Sequence, residues 1–257
     1  MSEAVVFNQS GADLSFIKDR SVSLIFTGPP FFDDLTEALL REPLEKQRKT
    51  SEVERLLKSY AQSLQPVFDE MGRILTPTGT IVLHTKDIRY GNSLIPLAHW
   101  HEELLRRVGY TAFTKIYWLP RARPRKSGRL NDSAPTMGSF RAKELELFSV
   151  FRSVSLPVRK PKSNRVAIDA PWLAEPLWVT DEETSPDRHR HASPPEVLER
   201  LLELYSLPGD LVADPFCGGG GFLEVARRMG RDAVGTEISP KEFERCVKRL
   251  SRGGTHD

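Results

Sequence analysis

The sequence predicts an α/β protein, with a mostly parallel, doubly wound sheet and helices on both faces. Short apolar segments of strand length alternate along the chain with segments whose apolar residues recur at helical spacing. The length of 257 residues fits one large α/β domain, and 39% hydrophobic with 28% charged residues fits a globular chain with a full core. No apolar run approaches the ~18 residues that a membrane helix needs.

The strands are predicted where β-branched and aromatic residues cluster in short segments. These segments are 22–26, 75–87, 111–119, 144–152, 211–216 and 232–238. Segment 75–87 is expected to begin with a turn and to end in polar residues. The helices are predicted at 53–71, 100–110, 193–210, 217–230 after an opening glycine-rich turn, and about 240–250. Parallel strands need such crossover helices between them.

Local signals set the ends of these helices. The first helix follows the capping-box pair Ser51 and Glu54, and Pro66 inside it predicts a kink or a break. The second helix closes at Gly109. The third is expected to begin at a serine cap, Ser193, with prolines in its first turn.

Positive charge is concentrated in one part of the chain. Residues 115–165 contain 13 Lys or Arg and 3 Asp or Glu, a balance of +10, although the formal net charge of the whole chain is only +2. The loop Arg121–Arg129 lies at the centre of this segment. Clustered cations are typical of a footprint for a polyanion, and a solvated basic face is the alternative interpretation. Residues 153–187, rich in proline, serine and charge, are predicted to be a connector and not a second domain.

A strand, a glycine-rich turn, a helix and a second strand ending in an acidic residue form a nucleotide-binding pattern near the end of the chain. Asp214 ends the first strand, and the glycines from Gly218 to Gly221 allow a ligand to approach the backbone closely. Glu237 lies 19 residues after Gly218, where a carboxylate can bind ribose hydroxyls. A dinucleotide motif would need a glycine in place of Leu223, so a different nucleotide is expected.

Two motifs resemble those of S-adenosylmethionine-dependent amino-methyltransferases. The segment "DPFCGGGG" is similar to their "DPF-x-G-x-G" cofactor signature, and "GPPF" is similar to their catalytic [D/N/S]-P-P-[Y/F] motif. The segments "RILTPTGTIVLHTKD", "ELELFSVFR" and "RHASPPEVLERLLELYSLPGDLVADPF" resemble other parts of the same family. The catalytic motif precedes the cofactor motif, as in the permuted beta class of DNA amino-methyltransferases, the cytosine-N4 and adenine-N6 family. The resemblance implies a Rossmann-like methyltransferase fold with a circularly permuted motif order.

The resemblance also implies a cofactor site. S-adenosylmethionine would be the cofactor, with the glycine turn near its methionine part and Glu237 at its ribose. The implied contacts are His191, Ser193, Asp214, Phe216, Cys217, Gly218, Gly220 and Glu237. Cys217 occupies a position that is usually small in the family and is interpreted as a buried filler, not a nucleophile. A capping or surface role is the alternative for His191.

The same resemblance implies a catalytic corner. Its residues would be Thr27, Gly28, Pro29, Pro30 and Phe31. Two successive prolines fix the carbonyl of Pro29 as an acceptor for the hydrogens of an exocyclic amine, and Phe31 would stack on a base taken out of the double helix. Thr27 resembles the first residue of "T-S-P-P-Y" motifs, which favours cytosine N4 over adenine N6 as the target.

Gly28 departs from the family pattern, because it has no side chain where the motif carries a polar acceptor. Removing one preorganised hydrogen-bond partner of a transition state typically costs on the order of 10²–10³ in rate. Three hypotheses follow: Thr27, Asp33 or Asp34 supplies the acceptor; a slow enzyme uses the Pro29 carbonyl alone; or the chain is a weak or non-catalytic DNA-binding subunit. An RNA amino-methyltransferase is a further alternative, which the motif order disfavours.

The expected organisation is a single methyltransferase domain over 1–257. Its parts are a catalytic half at about 1–152, recognition segments at about 120–140 and 153–190, and a cofactor-binding half at about 191–257. Double-stranded DNA is the expected partner, bound by Arg121, Arg123, Arg125, Lys126 and Arg129, with a homodimer or a helper subunit as further options. The N-terminus lacks the pattern of a signal peptide and two cysteines form no metal or disulfide framework, so a cytoplasmic restriction–modification enzyme without a metal is expected.

Overall fold

The computed structural model describes residues 2–30, 50–90, 93–121, 145–155, 172, 175, 177–181 and 193–252. Its strands are β1 (Ala4–Phe7), β2 (Val22–Thr27), β3 (Leu75–Thr85), β4 (Ile88–Tyr90), β5 (Ser93–Ile95), β6 (Tyr110–Arg121), β7 (Glu146–Ser153), β8 (Leu177–Asp181), β9 (Leu211–Asp214) and β10 (Asp232–Thr236). Its helices are α1 (Thr50–Ile74), α2 (Leu97–Arg107), α3 (Pro195–Tyr205), α4 (Gly221–Arg228) and α5 (Pro240–Arg252).

The main sheet contains eight strands in the order β1-β10-β9-β2-β3-β7-β6-β8, while β4 and β5 pair separately. Strand β7 is antiparallel to its neighbours β3 and β6, and the other neighbouring strands of this sheet are parallel. The predicted mostly parallel sheet is confirmed. Among the described helices, none combines the length and the apolar character needed to cross a membrane.

Helices cover both faces of this sheet, as predicted. Alternate side chains of β2 point into two separate cores. Ile25 joins the core that contains residues of α1 and α2, whereas Leu24 and Phe26 join the core that contains residues of α3, α4 and α5. Burial on both faces explains why β2 is apolar at successive positions and does not alternate with polar residues.

The order of strands creates a switch point between β2 and β9. From β2 the chain continues through α1 to β3, and from β9 it continues through α4 to β10, so the two crossovers lead away from each other. The strands are direct neighbours, with Leu24 opposite Val212 and Ile25 opposite Ala213. In α/β sheets a ligand crevice opens at the carboxyl ends of strands at such a point. The proline corner and the glycine turn follow these two strand ends.

Helix α1 contradicts the break expected at Pro66. It continues without interruption from Thr50 to Ile74. Pro66 is exposed, whereas its neighbours Leu64 and Val67 are buried in the core. The carbonyl that a proline leaves without a helical partner, four residues earlier at Gln62, is therefore on the solvent side, where water can bond to it.

Three further expectations differ in detail from the structure. Helix α3 has Pro194 at its N-cap without a side-chain cap bond, so Ser193 does not cap it. The connector predicted at 153–187 contains β8, which pairs in parallel with β6. The turn expected at the start of 75–87 appears as a register shift inside β3, because Val22 pairs with Leu75 but Leu24 pairs with Thr80.

Candidate active site

A hydrogen bond joins the two strand ends at the switch point. Thr27 is fully buried at the end of β2, and its hydroxyl donates to Oδ1 of Asp214 over 2.5 Å. The backbone N–H of Phe216 donates to the same oxygen over 3.0 Å. Thr27 and Asp214 are 187 positions apart in the chain. This bond therefore fixes the start of the proline corner against the start of the glycine turn.

The carboxyl group of Asp214 titrates near neutrality. Burial raises the pKa of Asp214 to about 7; the hydrogen bonds from Thr27 and Phe216 oppose the rise, and the negative charge of Glu237 adds to it. A cation beside this carboxyl group would favour its ionised form. The affinity of the site for a positively charged ligand should consequently increase with pH.

The glycine-rich turn borders open space. Gly218 and Gly220 have φ angles of +50° and +77°, a backbone region that other residues rarely adopt. A Cβ on Gly220 would collide with Sγ of Cys246, so packing also requires glycine there. A Cβ on Gly218 would meet no atom within 4 Å. The turn is thus packed against α5 at Gly220 and accessible to a ligand at Gly218.

Backbone amides hold the carboxylate of Glu237, which follows β10. The N–H of Gly218 donates to Oε2 over 2.9 Å, and the N–H of Ser239 donates to Oε1 over 2.7 Å. Two carboxylate oxygens offer about four lone-pair sites. The oriented side chain can therefore bind a pair of hydroxyl groups in addition to these two amides.

Cys217 lies in the packed part of the turn. It is buried, and a Cβ on Gly235 would lie 2.9 Å from the Cβ of Cys217. A hydrogen bond with Cys246 and burial both raise the pKa of the Cys217 thiol. A thiol that stays protonated is a poor nucleophile.

A chain of polar groups holds the second proline of the corner from the side of α1 and α2. The Tyr60 hydroxyl donates to the carbonyl of Pro30 over 2.8 Å and lies 2.7 Å from Nε2 of His101. Nδ1 of His101 lies 3.1 Å from the Thr85 hydroxyl. Burial lowers the pKa of His101 to about 4, so its ring is neutral near pH 7. Because the Tyr60 proton is used on Pro30, the tautomer that satisfies every group carries hydrogen on Nε2 and accepts from Thr85 at Nδ1.

The position of the missing side chain at Gly28 faces His84. Thr27 pairs with Leu83, which places Gly28 beside His84 on the neighbouring strand. A Cβ on Gly28 would lie 3.7, 3.8 and 3.9 Å from the backbone oxygen, Cβ and Nδ1 of His84, which are ordinary contact distances. A small side chain would therefore fit at Gly28, and the imidazole borders the space that it would enter.

His84 belongs to a buried polar network on this face of the sheet. Its Nε2 bonds with Oε2 of Glu146, and its Nδ1 lies 3.2 Å from Oγ of Ser193. The ring stacks on Phe148, with centroids 4.7 Å apart and an interplanar angle of 30°. The network thus links β3, β7 and the entry to α3 beside the proline corner.

The structure brings several predicted site residues together at the switch point. They are Thr27, Gly28, Pro29, Pro30, Asp214, Phe216, Cys217, Gly218, Gly220 and Glu237, with Ser193 joined to them through His84. The predicted residues outside the described ranges are Phe31, Asp33, Asp34, Arg123, Arg125, Lys126, Arg129 and His191; Arg121 ends β6, and its side chain is not described. Thr27 donates its hydroxyl proton to Asp214, and its side chain is fully buried. Its oxygen therefore has no exposed surface from which to accept an amine hydrogen, which argues against Thr27 as the acceptor missing at Gly28.

Some polar residues of the site were not predicted from the sequence. They are Tyr60, His84, Thr85, His101 and Glu146. The sequence offered one signal, the polar end "HTKD" of a strand that is otherwise apolar. Among the described residues, no group of three or more His, Cys, Asp or Glu side chains is arranged to hold a metal ion.

Comparison with known sequences places these motifs in a family. A model of N6 and N4 methyltransferases, described as DNA methylase, matches residues 22–248. The type II methyltransferase M.MjaI of Methanocaldococcus jannaschii is 26% identical over 253 residues, which cover 86% of this chain and 82% of the relative. The type II methyltransferase M.MthZI of Methanothermobacter thermautotrophicus is 26% identical over 261 residues, which cover 91% of this chain and 72% of the relative.

Solved structures share the fold. The Thermus thermophilus protein TTHA0409, in complex with S-adenosyl-L-methionine, superposes with a TM-score of 0.71 at 22% identity, covering 99% of this chain and 96% of that one. PvuII DNA methyltransferase, which is cytosine-N4-specific, superposes with a TM-score of 0.70 at 18% identity, covering 97% of this chain and 86% of that one. At these identities the likeness confirms the predicted Rossmann-like methyltransferase architecture.

Proposed function

The chain belongs to the DNA methylase family of N6 and N4 methyltransferases, and on this premise we propose that it methylates an exocyclic amine of double-stranded DNA. S-adenosylmethionine is the methyl donor. The target base is flipped out of the helix, because an amine that is paired inside a duplex cannot reach a buried cofactor. Cytosine N4 is the preferred target over adenine N6.

The observation that carries this proposal is the junction at the switch point. The Thr27–Asp214 bond of 2.5 Å holds the proline corner beside the glycine turn. Methyl transfer from a sulfonium to an amine is a direct displacement, so catalysis depends largely on holding the two reactants in line. A rigid connection between the amine-binding corner and the cofactor-binding turn meets that need.

The residues at the turn fit S-adenosylmethionine. When bound, this cofactor supplies an activated methyl group on a sulfonium. Glu237, oriented by two amides, is suited to the two ribose hydroxyls, and the open side of Gly218 allows the methionine part to approach the backbone. Asp214 offers a negative charge to the cationic end of the cofactor once it is ionised. Phe216, Cys217, Gly220, Ser193 and His191 are proposed to complete the cofactor site.

The proline corner is suited to binding an amine. The Tyr60 hydroxyl bonds to the carbonyl of Pro30 and so fixes the orientation of the corner. We assign the carbonyl of Pro29 to an amine hydrogen of the target base and Phe31 to stacking on that base. The preference for cytosine N4 rests on the resemblance of Thr27 to "T-S-P-P-Y" motifs.

DNA binding is assigned to the basic loop. Arg121, Arg123, Arg125, Lys126 and Arg129 are proposed to neutralise phosphates, because clustered cations supply most of the sequence-independent affinity for DNA. The segments 120–140 and 153–190 are proposed to read a short recognition site, with a second copy or a helper subunit as an aid to specificity. M.MjaI and M.MthZI are type II methyltransferases; by analogy the chain would act in restriction–modification, in the cytoplasm.

A second candidate function rests on Gly28. Because this position has no side chain, a subunit that binds cofactor and DNA without transferring methyl groups is the alternative. It differs from the first proposal in one observable, the transfer itself.

The test is incubation of the protein with methyl-labelled S-adenosylmethionine and mixed-sequence double-stranded DNA, followed by digestion to nucleosides. We expect labelled N4-methylcytosine. Labelled N6-methyladenine would contradict the choice of base, and cofactor binding without labelled DNA would favour the non-catalytic subunit. An equal amount of competing RNA should not reduce the labelling of DNA; preferential labelling of the RNA would contradict the substrate class.

A further inference from the structure

Strand β3, which lies beside the catalytic corner, carries the polar side chain of His84 next to Gly28, which has no side chain. Gly28 lacks the acceptor side chain of the family motif. Among the described residues other than its chain neighbours, the polar side-chain atom nearest to the missing Cβ is Nδ1 of His84, at 3.9 Å. His84 is 4% exposed and lies outside the proline corner and the glycine-rich cofactor turn. Its position therefore calls for an explanation within the proposed reaction.

Glu146 determines which nitrogen of His84 can accept a hydrogen bond. The Glu146 carboxylate accepts and does not donate, so its bond with Nε2 of His84 places hydrogen on Nε2. In the neutral ring Nδ1 is then the acceptor, and the Ser193 hydroxyl, 3.2 Å away, donates to it. The stack on Phe148, a residue with 0% exposure, holds the ring in this orientation.

Ser193 is placed to face a ligand. It precedes the N-cap of α3 and makes no cap bond, because Pro194 occupies the cap. Its side chain is partly exposed, in contrast to His84. With its proton donated to His84, the Ser193 oxygen keeps lone pairs that can accept from another group. The Ser193 hydroxyl and the missing Cβ of Gly28 are thus both close to Nδ1 of His84, at 3.2 and 3.9 Å.

We propose that Ser193, His84 and Glu146 together replace the acceptor that is missing at Gly28. This inference rests on the proposed amine methylation. Ser193 accepts one hydrogen of the target amine, and His84 and Glu146 act through it: His84 as the proton acceptor and Glu146 as the group that fixes the tautomer. In this arrangement of Ser193, His84 and Glu146, the serine oxygen accepts a hydrogen of the amine and does not act as a nucleophile.

Atoms and charges balance in this transfer. The amine nitrogen forms a bond to the methyl carbon, and the carbon–sulfur bond breaks with its electron pair remaining on sulfur as a neutral thioether. The surplus amine proton passes to the Ser193 oxygen while the Ser193 proton passes to Nδ1 of His84. The resulting imidazolium is paired with the Glu146 carboxylate and loses its proton to solvent before the next turnover.

The test combines three variants with a rescue. Ser193→Ala removes the acceptor, and His84→Phe keeps the ring stack on Phe148 but removes both nitrogens. We expect each to lower kcat for DNA methylation by roughly 10²–10³, the range for a lost transition-state hydrogen bond, with thermal stability retained. His84→Phe should also retain the Kd for S-adenosylmethionine, because His84 is not among the proposed cofactor contacts. Glu146→Gln should lower kcat by a smaller factor, because it keeps a bond to the ring but not the charge.

The decisive variant is Gly28→Ser, for which the contacts around the missing Cβ leave room. In the Ser193→Ala background it should raise kcat at least about tenfold, which corresponds to ~1.4 kcal/mol. The same substitution should raise kcat by a smaller factor in the wild type, and the ratio of the two factors measures the coupling between the two positions. A merely structural role for Ser193 would give no such rescue. If the wild type methylates DNA and Ser193→Ala and His84→Phe do so at the same rate, this inference is wrong but the proposed function stands. If the wild type does not methylate DNA, the proposed function is wrong.

Discussion

Replacement of Thr27 by valine isolates the bond that joins the two halves of the site. Valine has nearly the shape of threonine, so the fully buried position stays filled while the hydroxyl that donates to Asp214 over 2.5 Å is lost. The backbone N–H of Phe216 would remain as a donor to the same carboxyl oxygen. Burial, which already raises the pKa of Asp214 to about 7, would then meet less opposition, and that pKa would rise further.

The expected size of the effect follows from the charge on the acceptor. A hydrogen bond to an ionised group contributes about 1.5–3 kcal/mol. Slightly above neutral pH, most Asp214 carboxyl groups are ionised in the wild type. Without this bond, most of them would be protonated in Thr27→Val at the same pH. A cation is attracted to the ionised form only, so the affinity for S-adenosylmethionine near pH 7.5 should fall about tenfold, which corresponds to ~1.4 kcal/mol. At pH 9 the difference should narrow, because both proteins become ionised.

Isothermal titration calorimetry with S-adenosylmethionine between pH 6 and 9 measures this effect. The wild type should bind more tightly as pH rises through about 7, because the pKa of free Asp214 lies there and a bound cation favours the ionised group. Asp214→Asn gives the baseline, since it removes this titration but leaves that of the ligand. Thr27→Ser keeps the hydroxyl and should resemble the wild type. An equal loss of affinity in Thr27→Val at every pH would contradict this explanation, because it would indicate a packing defect.

Three other predictions concern the chain of polar groups at Tyr60, the buried carboxyl group of Asp214 and the basic loop. Tyr60→Phe should lower the free energy of unfolding by about 1–3 kcal/mol in urea denaturation and should lower kcat without weakening cofactor binding. The control is Tyr110→Phe, because the Tyr110 hydroxyl lies 3.4 Å from its acceptor and makes only a weak bond. Equal effects of the two substitutions would contradict the role of Tyr60. Because the folded pKa of Asp214 lies above its unfolded value, the free energy of unfolding of the cofactor-free protein should fall as pH rises from about 4 to about 7, on the order of 4 kcal/mol, and Asp214→Asn should remove this fall. Neutral residues at Arg121, Arg123, Arg125 and Lys126 should reduce the slope of log K for DNA against log salt by about 0.9 for each phosphate that is no longer neutralised; an unchanged slope would contradict the footprint.

Local patterns were sufficient to predict the architecture. Apolar runs such as 22–26 and 232–238 have strand character whatever their neighbours, and the order of strands and helices implied a parallel sheet covered on both faces. The pattern was insufficient where tertiary context decided. Strand β8 has five residues inside a segment rich in proline and charge, and it is stabilised by pairing with β6, which local composition does not reveal.

For the candidate site, sequence motifs gave predictions only where the residues are close together in the chain. The sequence contains Asp214, the glycines and Glu237 within one short segment, and the relation among them is local. The bond between Thr27 and Asp214 spans 187 positions and depends on the adjacency of β2 and β9. The location of His84 beside Gly28 depends on the register of β2 against β3, and a slip by one residue would turn His84 to the opposite face. Such relations become visible only once the strands are paired.

Transfer of a methyl group to DNA is the direct measure of the proposed function. The wild-type chain and Gly220→Ala, in which the new Cβ would collide with Cys246 and displace the cofactor turn, would be incubated with methyl-labelled S-adenosylmethionine and double-stranded DNA, and the nucleosides would be identified by mass spectrometry. We expect N4-methylcytosine with the wild type and a loss of this product with Gly220→Ala. DNA without any methylated exocyclic amine, from wild-type protein shown to bind the cofactor, would contradict the proposed activity.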